Sequence, residues 1–194
     1  MRLIIFTAVL LITLSMPAMA QEAPDVEVFG GYSFIKLEGE TGLHGWNASV
    51  AGNLSRSFAV VVDFSGHYGS QSFSTDFSLP GLPATRVMTD VHTNLHTILG
   101  GPRFAYRRQE KITPFAHALF GALRWGTNAT LSANGLTREQ SLDSTAFAAA
   151  FGGGLDLKLN KNVSFRMLQA DYLLTHFGGR IQNNARLSVG IVLH

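Results

Sequence analysis

The C-terminal stretch from Asn183 to His194, NNARLSVGIVLH, decides the fold class because its side chains alternate between two characters. Apolar residues occupy every second position, at Ala185, Leu187, Val189, Ile191 and Leu193. The opposite face carries Asn184, Arg186, Ser188, Gly190 and His194. A period of two residues is the signature of a β-strand with one apolar face. The stretch therefore predicts a β-strand with one face in apolar surroundings and the other in polar surroundings.

The same alternation recurs upstream and divides the chain into eight predicted strands. It is clear from Phe58 to Tyr68, where apolar residues oppose Asp63, Ser65 and His67. The first strand alternates in the same way between Val26 and Phe34. The predicted strands cover residues 25–37, 44–54, 57–68, 88–106, 113–125, 144–158, 162–174 and 184–194.

The connections between these strands alternate in length. Those at 54–56, 107–112 and 159–161 are short and polar, whereas 69–87 and 126–143 are long and rich in Ser, Thr, Asn and Gly. The connections at 38–43 and 175–183 are intermediate. Outer-membrane barrels have short periplasmic turns and longer external loops. The pattern predicts an all-β fold, an eight-stranded antiparallel up-and-down transmembrane β-barrel.

The composition fits strands that lipid solvates. Charged residues make up 14% of the 194 residues and hydrophobic residues 46%, whereas a typical soluble domain has about 25% charged residues. The absence of cysteine excludes a disulfide scaffold and a thiolate metal site. The balance of 15 basic and 13 acidic residues argues against a nucleic-acid partner.

The first twenty residues, MRLIIFTAVLLITLSMPAMA, have the layout of an export signal. Arg2 precedes an apolar run, and Ala18-Met19-Ala20 forms a small-x-small cleavage site. We expect residues 1–20 to be a cleaved signal peptide and residues 21–194 to form the barrel domain. Export of a barrel of this kind predicts the bacterial outer membrane as its location.

Parity along the strands predicts which charges face the barrel interior. An eight-stranded barrel has an interior only wide enough for side chains, and buried charges there must pair. We therefore expect a structural polar network and no catalytic, cofactor or metal site. We also expect Arg103 and Asp171 to face the interior. β-Bulges near Pro102 and at 167–169 would shift the alternation of side chains and so decide which way these two residues face. The predicted network comprises Asp63, His67, Arg103, Asp156, Arg166, Asp171 and Arg186.

Parity also assigns His92, Asn94 and His96 to the interior. Two histidines four residues apart chelate a metal on a helix, but on a strand they stand about 13 Å apart. His92 and His96 therefore do not predict a metal site.

Aromatic residues lie near both ends of the predicted strands, as in the interfacial girdles of membrane barrels. The outer group contains Tyr32, Phe34, Trp46, Tyr68, Trp125, Phe147 and Tyr172. The periplasmic group contains Phe58, Phe104, Tyr106, Phe115 and Phe165.

With these features the chain resembles the small OmpA-like outer-membrane β-barrel family of Gram-negative bacteria. The resemblance covers about residues 25–194. It rests on VEVFGGYSF at 26–34, HTNLHTILGGPRFAYR at 92–107, ITPFAHALFGALRW at 112–125, SFRMLQADYLLT at 164–175 and NNARLSVGIVLH at 183–194.

The resemblance implies a monomer in contact with outer-membrane lipid and lipopolysaccharide, inserted by the barrel assembly machinery. Family members commonly end in an aromatic residue that this machinery recognises. This chain ends at His194, so the resemblance implies weaker recognition, or recognition through Leu193.

Three functions are compatible with the sequence. The first is a non-enzymatic barrel whose external loops, 69–87 and 126–143, bind an unknown external ligand, mediate adhesion or support the envelope. The second is a lipid A-modifying enzyme such as a deacylase, which uses a His-x-Ser arrangement on its lipid side; here His176 precedes Phe177-Gly178. The third is a soluble, secreted lipocalin-like barrel, whose apolar residues would face inward.

Overall fold

Eight antiparallel strands close into a barrel in the computed structural model, which describes residues 24–38, 42–77, 85–109, 111–133, 136–177 and 180–194. Each strand pairs with the next one along the chain, and β8 pairs with β1 to close the barrel. The all-β, eight-stranded, up-and-down prediction is confirmed. The strands are β1 Val26–Lys36, β2 Leu43–Asn53, β3 Phe58–Phe77, β4 Thr85–Ala105, β5 Ile112–Ala133, β6 Leu136–Lys158, β7 Val163–Phe177 and β8 Arg180–Leu193.

The predicted signal peptide, residues 1–20, lies outside the described residues, and its cleavage stays a prediction. Among the described residues, no helix has the length and apolar character needed to cross a membrane.

Side chains alternate between the interior and the outer surface as the sequence pattern predicts for β8. Arg186 and Ser188 are buried, whereas Leu187 and Val189, which alternate with them along the strand, are exposed. On β3, Phe58 and Tyr68 are both exposed and stand ten residues apart. At about 3.3 Å per residue and a tilt of about 40°, they are roughly 25 Å apart along the barrel axis. This height matches the apolar band of outer-membrane barrels.

Two glycines face each other where the barrel closes. Gly31 of β1 and Gly190 of β8 are direct partners in the ladder. A Cβ on Gly31 would collide with the carbonyl oxygen of Val189, and a Cβ on Gly190 would collide with that of Gly30. The close approach of these two strands therefore requires glycine on both sides.

A β-bulge in β7 sets the orientation of several interior side chains. The register with β8 shifts by one residue between Arg166 and Gln169. Met167 and Leu168 are both exposed, so Arg166 and Gln169 are both buried although three residues separate them. A bulge re-aims side chains in this way. The expected bulge at 167–169 is confirmed, whereas the ladder keeps one register on both sides of Pro102.

The two long connections are shorter than predicted because the strands on either side continue through most of them. β3 extends to Phe77 and β4 begins at Thr85, and β5 and β6 are separated only by residues 134–135. The Ser, Thr and Asn residues predicted as loop instead pair across these strands in one unbroken register. Thr is a good strand former, and cross-strand pairing overrides the loop-like composition. Residues 78–84 and 134–135 lie outside the described part of the chain.

We predict that joint deletion of Met167 and Leu168 prevents stable folding. Arg166 and Gln169 would then be adjacent in a regular strand, so either Arg166 or the pair Gln169 and Asp171 would turn toward lipid, and a lipid-facing arginine at the midplane costs about 2–4 kcal/mol. The readout is heat-modifiable migration on gels together with urea unfolding in lipid vesicles.

The matched control is deletion of Met167 alone, which places Gln169 two residues after Arg166 in a regular strand, keeps both side chains inside and should fold. Equal stability of the two deletion variants would show that the side-chain alternation of β7 does not control the interior.

Candidate functional site: a charged interior and a projecting sheet

Arg186 forms the centre of the polar interior and has no solvent-exposed surface. Its Nε and Nη2 donate to Asp171 Oδ2 at 2.9 and 2.7 Å, and its Nη1 donates to Asp63 Oδ1 at 2.7 Å. Asp63 and Asp171 come from β3 and β7, on different sides of the barrel wall. One guanidinium therefore ties three strands together through the interior.

Polar side chains that the sequence analysis did not select complete this cluster. His117 Nε2 lies 2.8 Å from Asp171 Oδ1, and Gln169 Nε2 donates to Asp171 Oδ2 at 2.8 Å. Asn47 Nδ2 donates to Asp63 Oδ2 at 2.8 Å. Both carboxylates thus accept additional hydrogen bonds beside those from Arg186. Such bonds help to offset the desolvation cost of a buried charge.

Arg166 occupies a second site, between two aromatic rings. Its Nε and Nη2 donate to Asp156 Oδ1 and Oδ2 at 2.8 and 3.0 Å, and its Nη1 donates to Gln169 at 2.7 Å. The guanidinium carbon lies 4.3 Å from the centre of the Phe29 ring and 4.4 Å from that of Phe115. A bidentate carboxylate contact and two ring faces satisfy both the edge and the faces of this planar cation.

A third group lies at the end of the barrel with the short turns. Glu27 pairs with Arg103 and, at 2.5 Å, with Arg107, whose Nη2 also donates to Asn53 at 3.1 Å. A cavity of about 20 Å³ lies beside Glu27 and Arg103, enough for one water molecule. Glu27 is not in the network predicted from the sequence, although its position between Val26 and Val28 in the alternating strand indicates that it faces the interior.

The buried charges balance. Among the described residues, four arginines and four carboxylates form the interior ion pairs. They are Arg103, Arg107, Arg166 and Arg186 with Glu27, Asp63, Asp156 and Asp171. All seven residues of the predicted network are buried. His67 is separate from the ion pairs, since its Nε2 lies 2.9 Å from Ser33 Oγ and its Nδ1 has no hydrogen-bond partner among the described residues.

The interior also contains an apolar cluster, which was not predicted from the sequence. Its centre is a cluster of buried leucines, including Leu95, Leu99, Leu119 and Leu123. Trp125 packs against this cluster, so its assignment to the lipid-facing girdle is wrong. Phe115 is also buried and belongs to the interior rather than to the periplasmic belt. Both lie on β5, where apolar residues occupy both faces and conceal the parity.

The parity assigned to the middle of β4 is wrong as well. Leu95 and Thr97 are buried, so His92 and His96 face outward and are exposed. Asn94 shares their outward face and is half-buried. His96 Nε2 lies 3.1 Å from the Tyr68 hydroxyl. Among the described residues, no three His, Asp or Glu side chains group as metal ligands would.

The remaining residues of the predicted outer girdle face away from the interior. Tyr32, Trp46, Tyr68 and Tyr172 are about half exposed. The Tyr32 hydroxyl lies 2.5 Å from His44 Nδ1, and the Tyr172 hydroxyl donates to Asn183 at 2.6 Å. These polar ends on apolar rings suit a membrane interface, and their function as a girdle stays a prediction.

Four strands continue beyond the barrel wall and form what we call the projecting sheet. It consists of residues 69–77, 85–93, 126–133 and 136–145. β2 pairs with β3 only as far as Tyr68, and β7 pairs with β6 only from Phe147. The pairing of β3 with β4, β4 with β5, and β5 with β6 continues. The pairing of the projecting sheet with β2 and with β7 therefore ends at Tyr68 and Phe147 among the described residues.

The two faces of the projecting sheet differ in chemistry. The face continuous with the barrel interior carries exposed apolar side chains at Phe73, Leu131 and Leu142. The opposite face is largely polar, and Arg86 pairs there with Asp76 at 2.8 Å. The hydrogen bonds and charge of Arg86 lower the pKa of the Asp76 carboxyl below its usual value. The sheet is thus amphipathic, and its apolar face is not covered by the described chain.

Comparison with known proteins identifies a family. Residues 6–193 match the model of the outer membrane protein beta-barrel domain family. No curated protein matches the chain.

Solved structures that resemble the chain include three bacterial proteins. Ail, the attachment invasion locus protein of Yersinia pestis, is 19% identical with a TM-score of 0.47, covering 86% of this chain and 95% of that one. Neisserial surface protein A is 13% identical with a TM-score of 0.48, covering 88% and 97%. The N-terminal barrel of Pseudomonas aeruginosa OprF is 14% identical with a TM-score of 0.41, covering 87% and 97%.

We predict that Arg166→Met lowers the free energy of unfolding by about 3–5 kcal/mol, because it leaves the Asp156 charge buried and unpaired. The double variant Arg166→Met/Asp156→Leu should recover most of this loss, since no uncompensated charge remains. Urea unfolding in lipid vesicles measures both.

Arg180→Met, at an exposed position of β8, is the control and should change stability by less than about 0.5 kcal/mol. An Arg166→Met barrel as stable as this control would contradict the interpretation of the ion pair.

Proposed function

The chain belongs to the outer membrane protein β-barrel domain family, and on that premise we propose that it is a non-enzymatic surface protein whose projecting sheet binds an external partner. It is a bacterial outer-membrane protein. The proposal assigns recognition to the projecting sheet and a structural role to the interior network.

The uncovered apolar face carries this proposal. Phe73 is 56% exposed, Leu142 66% and Leu136 79%, although an apolar side chain gains by leaving water. Contiguous exposed apolar residues on a soluble surface mark interaction sites. Their position on paired strands holds them in fixed register, so a partner would meet a preformed surface.

Geometry argues against a function inside the barrel. The arginines and carboxylates there are paired with each other and buried. The interior of an eight-stranded barrel is only wide enough for side chains. A substrate would have to displace several ion pairs to enter, so we assign the network to stability.

The alternatives fit the structure less well. The structure describes two His–Ser pairs, and neither lies at the outer rim: His67 with Ser33 is buried in the interior, and His194 with Ser164 lies at the end with the short turns. The outward His44 and His96 contact tyrosines, whereas a deacylase of the kind considered above needs serine. A lipocalin-like barrel would bury the apolar residues that this chain exposes on its outer surface.

The experiment measures adhesion of Gram-negative cells that display the protein to wells coated with fibronectin, laminin or collagen, and to cultured epithelial cells. We expect cells with the variant Phe73→Ser/Leu131→Ser/Leu142→Ser to adhere at least about tenfold less than cells with the wild type, because the variant removes the apolar contact area.

The matched control changes the other face of the same sheet, with Ser74→Ala/Met88→Ser/Thr130→Ala, and should adhere as the wild type does. Protease accessibility measures the amount of each variant on the cell surface, and adhesion is compared at equal amounts. Adhesion that is absent in the wild type, or equal in both variants, would refute the proposal.

A further inference from the structure

Exposed cations at the end of the barrel that carries the short turns have few acidic neighbours. We call them the basic rim, and they are Arg56, Arg108, Lys111, Lys158 and Lys161. Among the described residues, Asp25 is the one exposed carboxylate at this end. Glu110 belongs to the β4–β5 turn by sequence and lies outside the described residues. Cations therefore clearly outnumber acids at the basic rim.

The opposite end has no such excess. Its exposed cations, among the described residues, are Lys36, Arg86, Arg124, Arg138 and Arg180. Four exposed carboxylates, Glu38, Asp76, Glu139 and Asp143, and the half-buried Asp90 accompany them. Two of these cations are paired, Arg86 with Asp76 and Arg124 with Asp143. In contrast, Arg108, Lys111, Lys158 and Lys161 form no ion pair with a described carboxylate. The positive charge is thus specific to one end.

The basic rim lies directly beside the apolar band. The turn between β2 and β3 has only residues 54–57, and that between β6 and β7 only 159–162. Exposed Phe58, Phe104 and Phe165 mark the band next to these turns. Such short turns do not project far from the membrane surface, so their cations lie at the depth of lipid headgroups.

Contacts between neighbouring turns hold part of the rim in place. Arg107 Nη1 donates to the carbonyl of Arg56 at 2.6 Å, and Arg56 Nη2 donates to the carbonyl of Arg107 at 3.3 Å. The Arg108 guanidinium lies 5.8 Å from the centre of the Tyr106 ring. The β2–β3 and β4–β5 turns therefore present their charges as one surface.

We propose that the basic rim binds the phosphate groups of anionic phospholipids in the leaflet that faces the periplasm. Short turns face the periplasm in outer-membrane barrels. Basic residues at a membrane surface attract anionic headgroups within about one Debye length, about 8 Å at physiological salt. The cell-wall polymer is a less suitable partner, because the short turns do not reach beyond the headgroup layer.

The test counts lipids that stay bound to the purified barrel. The folded protein in a zwitterionic detergent is mixed with equal amounts of phosphatidylglycerol and phosphatidylcholine, and native mass spectrometry measures the adducts. We expect the wild type to retain several-fold more phosphatidylglycerol, with the preference decreasing in 500 mM salt. In the variant Arg108→Gln/Lys111→Gln/Lys158→Gln/Lys161→Gln, the preference for phosphatidylglycerol should be at least about fivefold smaller than in the wild type.

The matched control removes four charges from the other end, with Lys36→Gln/Arg124→Gln/Arg138→Gln/Arg180→Gln, and should keep the wild-type preference. Heat-modifiable migration verifies that each variant is folded. If the fourfold rim variant does not fold, Lys158→Gln/Lys161→Gln serves instead and should lose part of the preference.

Three results would overturn the proposal. In the first, the wild type retains both lipids equally. In the second, the rim variant and the control variant lose the preference to the same extent. In the third, the rim variant keeps the wild-type preference. Sedimentation with purified cell-wall sacculi runs in parallel. Binding to sacculi that only the rim variant loses, with lipid preference unchanged, would assign the rim to the polymer.

Discussion

The pairing of Arg186 with Asp63 and Asp171 is the interaction on which the rest of the structure depends. A charge enclosed by a barrel wall and surrounded by lipid has no water to solvate it, so its partners must come from the interior itself. Arg186 is completely buried and meets two carboxylates from two other strands. The bulge at Met167 keeps Arg166, Gln169 and Asp171 on the same side of β7. Backbone geometry and charge pairing thus constrain each other.

The sequence predicts the fold well where a strand has one apolar and one polar face. β8 and the first part of β3 have that character, and their interior residues, Arg186 and Asp63 among them, follow from parity alone. The prediction fails on β4 and β5, where Leu95 and Leu99, and Leu119 and Leu123, belong to an apolar cluster in the interior. Outward apolar residues stand beside them, as Ile98 and Phe120 do. With both faces apolar, alternation no longer identifies the interior, and Trp125 and His96 were consequently assigned to the wrong face.

The candidate surfaces were less accessible to sequence reasoning than the fold. The hairpins beyond the wall are rich in Ser, Thr and Asn and were predicted as loops, although long-range pairing makes them strands. Their amphipathic character becomes visible only when Phe73, Leu131 and Leu142 share a face in three dimensions. The basic rim arises in the same way, because Arg108 and Lys111 belong to the β4–β5 turn, whereas Lys158 ends β6 and Lys161 lies in the turn that follows it. A closed interior leaves the two ends of the barrel as the places for recognition. We assign a protein partner to one end and lipid to the other.

A double-mutant cycle on Arg186 and Asp171 tests the central claim most directly. The free energies of unfolding of the wild type, Arg186→Met, Asp171→Asn and the double variant are measured by urea titration in phosphatidylcholine vesicles. If the ion pair holds the interior together, the two substitutions should couple by about 1.5 kcal/mol or more. Effects that add to within about 0.5 kcal/mol would mean that the charges do not support each other. The account of the barrel interior would then be contradicted.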